Sequence, residues 1–548
     1  MRVLLINPSY PISETPSPPL SLAVLAAALE QAGIEAAVCD YVVHPYRPVD
    51  LEAAIHRFDP QIAGITCVTM TFLDAAKIVR DLKQMAPDVL TVMGGPHVSF
   101  AAEKTLRALP ALDCVAKGEG ENTLVDLARA VAAGTDFSHV SGLVWRRDDR
   151  IADNGFPRHR VDLRAMAPPA RRHLDLGRYR ALGLPVSMIT SRGCPHACIF
   201  CVGRKMVGPR VRYRDPAGIV EEMGELSRYG FHQINLADDL FTADSGHCTR
   251  VCRQIRKKGL CLSWTSFARV DTVTPDLAAE LAAAGCHTLS FGVESADPEI
   301  LKTARKGITP SQAVEAIGCC VEAGITPQVS FILGLPGETP ETLKKTAAFA
   351  DRLQQMGATF GFHLLAPFPG TEVAERAADY GIKILTDDWR MYHANRAVTE
   401  TKAVPASMLD RIVIGWEKKF DQYLQELDTL RRSGRGPAET VWPLTRLEHT
   451  VVIHDLMMHR SIEENGAWEN GCGQVASDSA LEKLAGRIAA PPSASYDAAQ
   501  IARTLRYCLS EGFLQMSQDD GTVRWAWVDT VAPEVQDCET AFKAGTDG

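Results

Sequence analysis

Ser191-Arg-Gly-Cys194-Pro-His-Ala-Cys198-Ile-Phe-Cys201 carries three cysteines at C-x3-C-x2-C spacing. Three thiolates so placed can each hold one iron of a [4Fe–4S] cube and leave the fourth iron open to a small chelating molecule. Gly193 and Pro195 suit a tight wrapping loop, and Phe200 beside the last thiol offers apolar cover. The run Pro185-Val-Ser-Met-Ile-Thr190 just upstream reads as a buried strand. The loop therefore sits at a strand's carboxyl end, where α/β proteins bind ligands. The competing readings are a zinc site with His196 as fourth ligand, or three unrelated thiols.

Around this loop, residues 184–385 alternate strand and helix patterns. Strands are predicted at 186–190, 233–236, 261–266, 287–292, 326–334 and 358–365, with helices in the gaps. Six such units predict a partial (β/α)6 barrel of TIM type. Its strand ends carry Asp238-Asp239, Arg269, Glu294-Ser295, and the turns Gly334-Leu-Pro-Gly337 and Pro367-Phe-Pro-Gly370.

Residues 1–135 alternate in the same way, with strands at 3–6, 35–39, 62–66, 89–93 and 113–116. Five short apolar strands separated by helices predict a parallel, doubly wound, Rossmann-like α/β sheet. Its carboxyl ends hold Asn7, then Thr69-Met70-Thr71, Gly94-Gly95-Pro96-His97 and Gly118-Glu119-Gly120. Paired glycines let backbone approach a bulky ligand. Residues 136–183 read as a linker with a small hairpin around 144–151 and a polar turn at Asp148-Asp149. Residues 386–548 read as mostly helical, ending in a winged-helix-like helix, strand, turn and strand, with the turn at Asp519-Asp-Gly521.

Composition narrows the classes. A net charge of −9 without a long basic run argues against a nucleic-acid partner. The apolar run 20–29 is too short to span a bilayer. Fifteen scattered cysteines behind a strand-like N-terminus, with no secretory pattern, fit a reducing cytoplasm. No second C-x2-C motif accompanies the first.

The cysteine spacing, with an aromatic before the third thiol, resembles the radical S-adenosylmethionine (SAM) superfamily. The ordered motifs of the first domain, together with Pro18-Pro19-Leu20 before its first helix, resemble the subfamily that places a cobalamin-binding domain before the radical SAM core. The resemblance covers residues 1 to about 375. It implies a [4Fe–4S] cluster on Cys194, Cys198 and Cys201. It implies SAM contacts from Phe200, Asp238, Arg269, Glu294 and Ser295, and cobalamin contacts from Asn7, Thr69, Met70, Thr71, Gly94, Gly95, Pro96, His97, Gly118, Glu119 and Gly120. Against these stand plainer roles. Asp238 could cap the helix near Asp244, Arg269 could pair with Asp271, and Lys306 could be a solvated lysine. One departure is the missing D-x-H-x-x-G motif. Asp136-Phe-Ser-His139-Val-Ser-Gly142 is one residue too long, so the resemblance leaves cobalt without a histidine beneath it.

The activity implied is C-methylation of an unactivated carbon of a small-molecule substrate, through a 5′-deoxyadenosyl radical and methylcobalamin. An external flavodoxin- or ferredoxin-type electron donor is implied with it. The alternative within the subfamily is oxidation, cyclisation or ring rearrangement without methyl transfer. A non-catalytic sensor of cobalamin or redox state is the alternative from another class.

Overall fold

The computed structural model describes residues 1–147, 150–433, 437–470, 476–491, 495–519 and 521–529. The first sheet has strands β1 (Arg2–Asn7), β2 (Glu35–Asp40), β3 (Ile62–Thr66), β4 (Leu90–Gly94), β5 (Cys114–Ala116), β6 (Leu143–Arg147) and β7 (Arg150–Asp153), in spatial order 2-1-3-4-5-6-7. The first five are parallel and covered by helices on both faces, which is why they read as near-continuous apolar runs. The predicted hairpin is not a free-standing linker piece. Its strand β6 pairs antiparallel with β5 and extends the sheet, because β5 would otherwise leave an unpaired edge. The turn residues Asp148 and Asp149, and Asp520 of the later turn, lie outside the described residues.

The second sheet contains β8 (Val186–Met188), β11 (Gln233–Leu236), β12 (Ser263–Ala268), β13 (Cys286–Glu294), β14 (Thr326–Leu333) and β15 (Thr359–Leu364). All neighbours are parallel, in the order 8-11-12-13-14-15, so β8 and β15 are open edges of a partial barrel. Between them in sequence, β9 (Ser191–Arg192) and β10 (Arg212–Tyr213) form a two-residue antiparallel ladder that anchors the cysteine loop. Helices Pro216–Arg228, Pro310–Glu322 and Pro340–Gln355 of the barrel start on proline at the first turn. Proline there loses no helical hydrogen bond, so these helices begin one residue earlier than apolar periodicity alone indicates.

A small antiparallel pair, β16 (Ile382–Ile384) and β17 (Thr399–Thr401), follows the barrel. Helices Ala406–Arg432 and Ala438–Met458 lead to a three-stranded sheet of β18 (Ala467–Glu469), β19 (Leu514–Asp519) and β20 (Thr522–Trp527). Helices Ser477–Ala489 and Ala498–Ser510 pack on it. The last helix is followed by β19, a turn and β20, the element order read from the sequence, and β18 adds a third strand that three residues are too few to announce. Arg178 ties the unit down, donating to Glu463 at 2.9 Å and Asp529 at 2.7 Å. No helix among the described residues is long and apolar enough to cross a membrane.

Candidate active site

The cysteine loop is held from beneath by two carboxylates. Asp238 is buried and accepts from the Thr190 N–H at 2.6 Å, the Ser191 hydroxyl at 2.6 Å, and the Thr190 hydroxyl. Asp239 accepts from the Gly193 N–H at 2.9 Å. Asp238 therefore neither caps the following helix nor offers a free carboxylate. The helix cap is Asp244, whose side chain accepts from His247. Gly193 sits at φ +119°, and a Cβ there would lie 2.3 Å from the Arg210 carbonyl oxygen. Only glycine fits that turn.

Further along the loop, Ile199 is buried among Ile300, Leu335 and Leu365, with Phe200 packed on the same cluster. Burial pushes the Cys198 and Cys201 thiols up; the neighbouring thiol adds to this and Lys306 opposes it. Among the described residues, no three His, Cys, Asp or Glu side chains converge on one ion position.

Beside the loop lies a second cluster. Glu294 is a non-glycine residue at φ +67°, just past a bulge in β13. Its carboxylate accepts from Lys306 Nζ at 2.8 Å, and both groups are buried. Gly292 makes room for this pair, since a Cβ there would lie 2.3 Å from Glu294 Oε1. Arg269 holds Asp271 through Nε at 2.9 Å and Nη2 at 3.0 Å, and reaches the Lys306 carbonyl at 2.8 Å. Lys306 Nζ stands 6.0 Å from the Phe200 ring centre. Phe200, Arg269, Glu294 and Lys306 are thus brought together. A left-handed backbone at a buried glutamate marks strain of the kind found at functional sites. Ser295 is turned elsewhere, 3.3 Å from the Thr346 hydroxyl and accepting from the Asp297 N–H.

A cavity of about 300 Å³ opens at the carboxyl ends of β1, β3, β4 and β5. Gly94, Gly95, Pro96, Gly118, Glu119 and Gly120 line it, together with Leu5, Gly64 and Leu25. The far wall comes from the barrel domain: Arg192, Met206 and Val207. Gly64 keeps the cavity open, because a Cβ would meet Leu5 Cδ2 at 3.2 Å and Val92 Cγ1 at 3.7 Å. The junction is ionic. Arg192 donates to Glu119 at 3.0 Å and Glu121 at 2.6 Å, and Arg212 donates to Glu119 at 2.9 Å. Gly64 is legible in sequence as a glycine inside an apolar strand. Arg192, Met206 and Val207 carry no such signal.

Asn7, Thr69, Met70, Thr71 and His97 are absent from that lining. Asn7 donates to buried Asp40. His97 lies 3.2 Å from the Thr69 hydroxyl, between the rings of Phe72 and Trp389. Burial and the charge of Lys104 push its pKa down to about 4. His97 is a neutral packed side chain that joins the first domain to the Trp389 segment after the barrel.

Comparison with known proteins agrees with this arrangement. The B12 binding domain family matches residues 13–128 and the Radical SAM superfamily matches residues 188–350. An uncharacterized methyltransferase of Pyrococcus horikoshii is 33% identical over 421 residues, covering 75% of this chain and 91% of the relative. An anaerobic magnesium-protoporphyrin IX monomethyl ester cyclase of Rubrivivax gelatinosus is 27% identical over 447 residues, covering 77% of each. The structure of the radical SAM methyltransferase TsrM from Kitasatospora setae, with cobalamin and a [4Fe–4S] cluster bound, superposes with a TM-score of 0.60. It is 24% identical, covering 75% of this chain and 80% of that one. With a glycine-lined cavity in its first domain walled by residues next to a three-cysteine loop, the chain belongs to the radical SAM enzymes that carry a cobalamin-binding domain.

Proposed function

We propose that the protein methylates an unactivated carbon of a small-molecule substrate. The observation that carries this reading is the shared wall: Arg192, two residues before Cys194, lines the cavity of the first domain. A corrinoid and a cluster would thus act on one space. When bound, the cofactors supply an electron, a hydrogen-abstracting radical from SAM and a transferable methyl group.

The chain's own residues hold and shield. Cys194, Cys198 and Cys201 are the ligands of the cluster, and free thiols in a half-buried loop suit them. Asp238 and Asp239 are positioning residues that keep the loop wrapped. Glu294, strained and paired with Lys306, takes the polar end of SAM; Arg269 fixes the Lys306 backbone, and Phe200 excludes water. The glycines 64, 94, 95, 118 and 120 give cobalamin its close approach to backbone. Without a D-x-H-x-x-G histidine, and with His97 packed away, no side chain in the described cavity is a cobalt ligand of that type. A flavodoxin- or ferredoxin-type donor supplies the electron.

Cyclisation without methyl transfer has less support, since the cyclase relative shares 27% identity against 33% for the methyltransferase. The test is anaerobic reconstitution with iron, sulfide and hydroxocobalamin, then metal counts on the desalted protein. About four irons and about one cobalt support the reading, and Cys198→Ala abolishes the iron. Iron without cobalt removes the corrinoid role and methyl transfer with it.

A further inference from the structure

The barrel's inner wall is polar. Along each strand the outward side chains, such as Trp264, Phe291 and Phe331, are fully buried under the helices. The alternate positions face inward. They bring Ser187, Asn235 and Thr265 into one row across β8, β11 and β12, and set Ser290 opposite Gln328, with Ser330 two residues further along β14. Two of these contacts are hydrogen bonds at 3.0 Å, Thr265 to Asn235 and Ser290 to Gln328. No Asp, Glu, Lys or Arg stands at an inward position of these strands before Glu294. Phe267, also inward, is 47% exposed. Barrel interiors of this type are ordinarily filled by bulky aliphatic side chains, so a polar, uncovered one is a chamber.

The chamber is open between edge strands β15 and β8. Helix Ala406–Arg432 crosses that opening. At its start, Leu409 and Val413 pack on Leu333, Leu343 and Leu364 at the ends of β14 and β15. At its end, Arg431 pairs with Glu448 of helix Ala438–Met458. That helix bonds, through Arg446 and Thr450, the carbonyls of Ala181 and Leu182 just before β8. Twenty-seven residues span about 40 Å at the usual helical rise, enough to bridge the gap. From Leu409 the apolar positions recur every three or four residues, as Val413, Trp416, Phe420, Tyr423 and Leu427. They form one stripe. Its first and last members are buried, yet Phe420 is 51% and Tyr423 53% exposed. The Trp416 and Phe420 rings lie stacked at 11°.

We propose that Trp416, Phe420 and Tyr423 form the aromatic fourth side of the substrate chamber. Facing a wall of hydroxyls and amides, they select a flat, uncharged small molecule with hydrogen-bonding groups. The stripe that docks the helix on β15 points the same rings toward the opening. Apart from His363, at an inward position of β15, the inner wall of the strands offers donors and acceptors but no acidic or basic partner for a charged ligand. The identity of the chamber rests on the proposed function, but the test below needs neither cluster nor corrinoid, so either can fail alone.

The probe is 6-propionyl-2-(dimethylamino)naphthalene, flat and neutral with one acceptor, titrated into the full-length protein. Saturable, blue-shifted emission is expected, weakened about tenfold by Phe420→Ser, the scale of one aromatic contact, and weakened also by Gln328→Leu. Naphthalene-2-sulfonate and 2-naphthyltrimethylammonium should displace it poorly. No saturable binding, binding equal in both variants, or equal displacement by the charged rings would overturn the proposal. So would sedimentation showing a dimer that Phe420→Ser dissociates while dye binding persists, since the row would then be a contact between copies.

Discussion

Replacing Arg192 by methionine removes the cation that two buried carboxylates share. The Glu119 and Glu121 side chains are 2% and 8% exposed, and Arg192 itself is 16% exposed. Glu119 keeps Arg212 as a partner, whereas Glu121 has no other ion pair among the described residues. Breaking a buried pair from one side ordinarily costs about 3–5 kcal/mol, because the remaining charge is stranded. The partial exposure of Arg192 and the surviving Arg212 contact place this case at the low end, about 3 kcal/mol. A chain of several domains does not unfold in one step, so the assay must be local. Hydrogen–deuterium exchange read by mass spectrometry on peptides spanning 118–122 and 191–213 reports opening of this junction. At 1.36 kcal/mol per tenfold, about 3 kcal/mol lowers protection roughly a hundredfold. The double variant Arg192→Met with Glu121→Gln should recover part of the loss, with a coupling of about 0.5–3 kcal/mol. A change under threefold, an equal change across the barrel, or strict additivity would refute the network as the clasp between the two domains. The same variant should also retain less cobalt after desalting, since Arg192 lines the cavity.

Gly193→Ala puts a methyl 2.3 Å from the Arg210 carbonyl oxygen, so the reconstituted variant should bind little iron while its circular dichroism is kept; a full iron load would show the turn to be dispensable. Gly64→Val fills the cavity against Leu5 and Val92 and should lower cobalt but not iron, at a stability cost of about 1–3 kcal/mol for overpacking; undiminished cobalt would move the corrinoid elsewhere. Glu338 is raised to about 8 by burial, although it accepts from the Gly334 and Leu335 N–H groups. Its folded pKa exceeds its unfolded one, so the stability it contributes is complete below about pH 4.5 and is lost as pH rises through about 8. Glu338→Gln should therefore flatten the pH dependence of thermal unfolding between those limits, and parallel profiles for variant and parent would exclude the assignment.

Much of the molecule follows from local pattern. Apolar runs of three to six residues, broken by helical periodicity, place the first sheet, because parallel strands buried on both faces must be apolar throughout, and alternation of apolar with polar residues places the barrel strands. The C-x3-C-x2-C loop and the glycine pairs are equally local. What sequence order could not show is which side chains meet. Arg192 and Glu121 lie 71 residues apart, and neither residue type signals a partner. Asp238 sits beside the loop in space, 47 residues from Ser191, and its carboxylate is saturated by that loop. His97 stands in a glycine turn that resembles a ligand site, yet Trp389, from beyond the barrel, packs against it. The amino-acid sequence by itself determined the elements, the cysteine loop and the glycine openings, because spacing along a strand, a helix or a turn dictates these within a few residues. Only the tertiary structure decided which charges pair, which wall the cavity shares and which face of helix Ala406–Arg432 meets the barrel, because burial and ion pairing depend on distances that chain order does not encode.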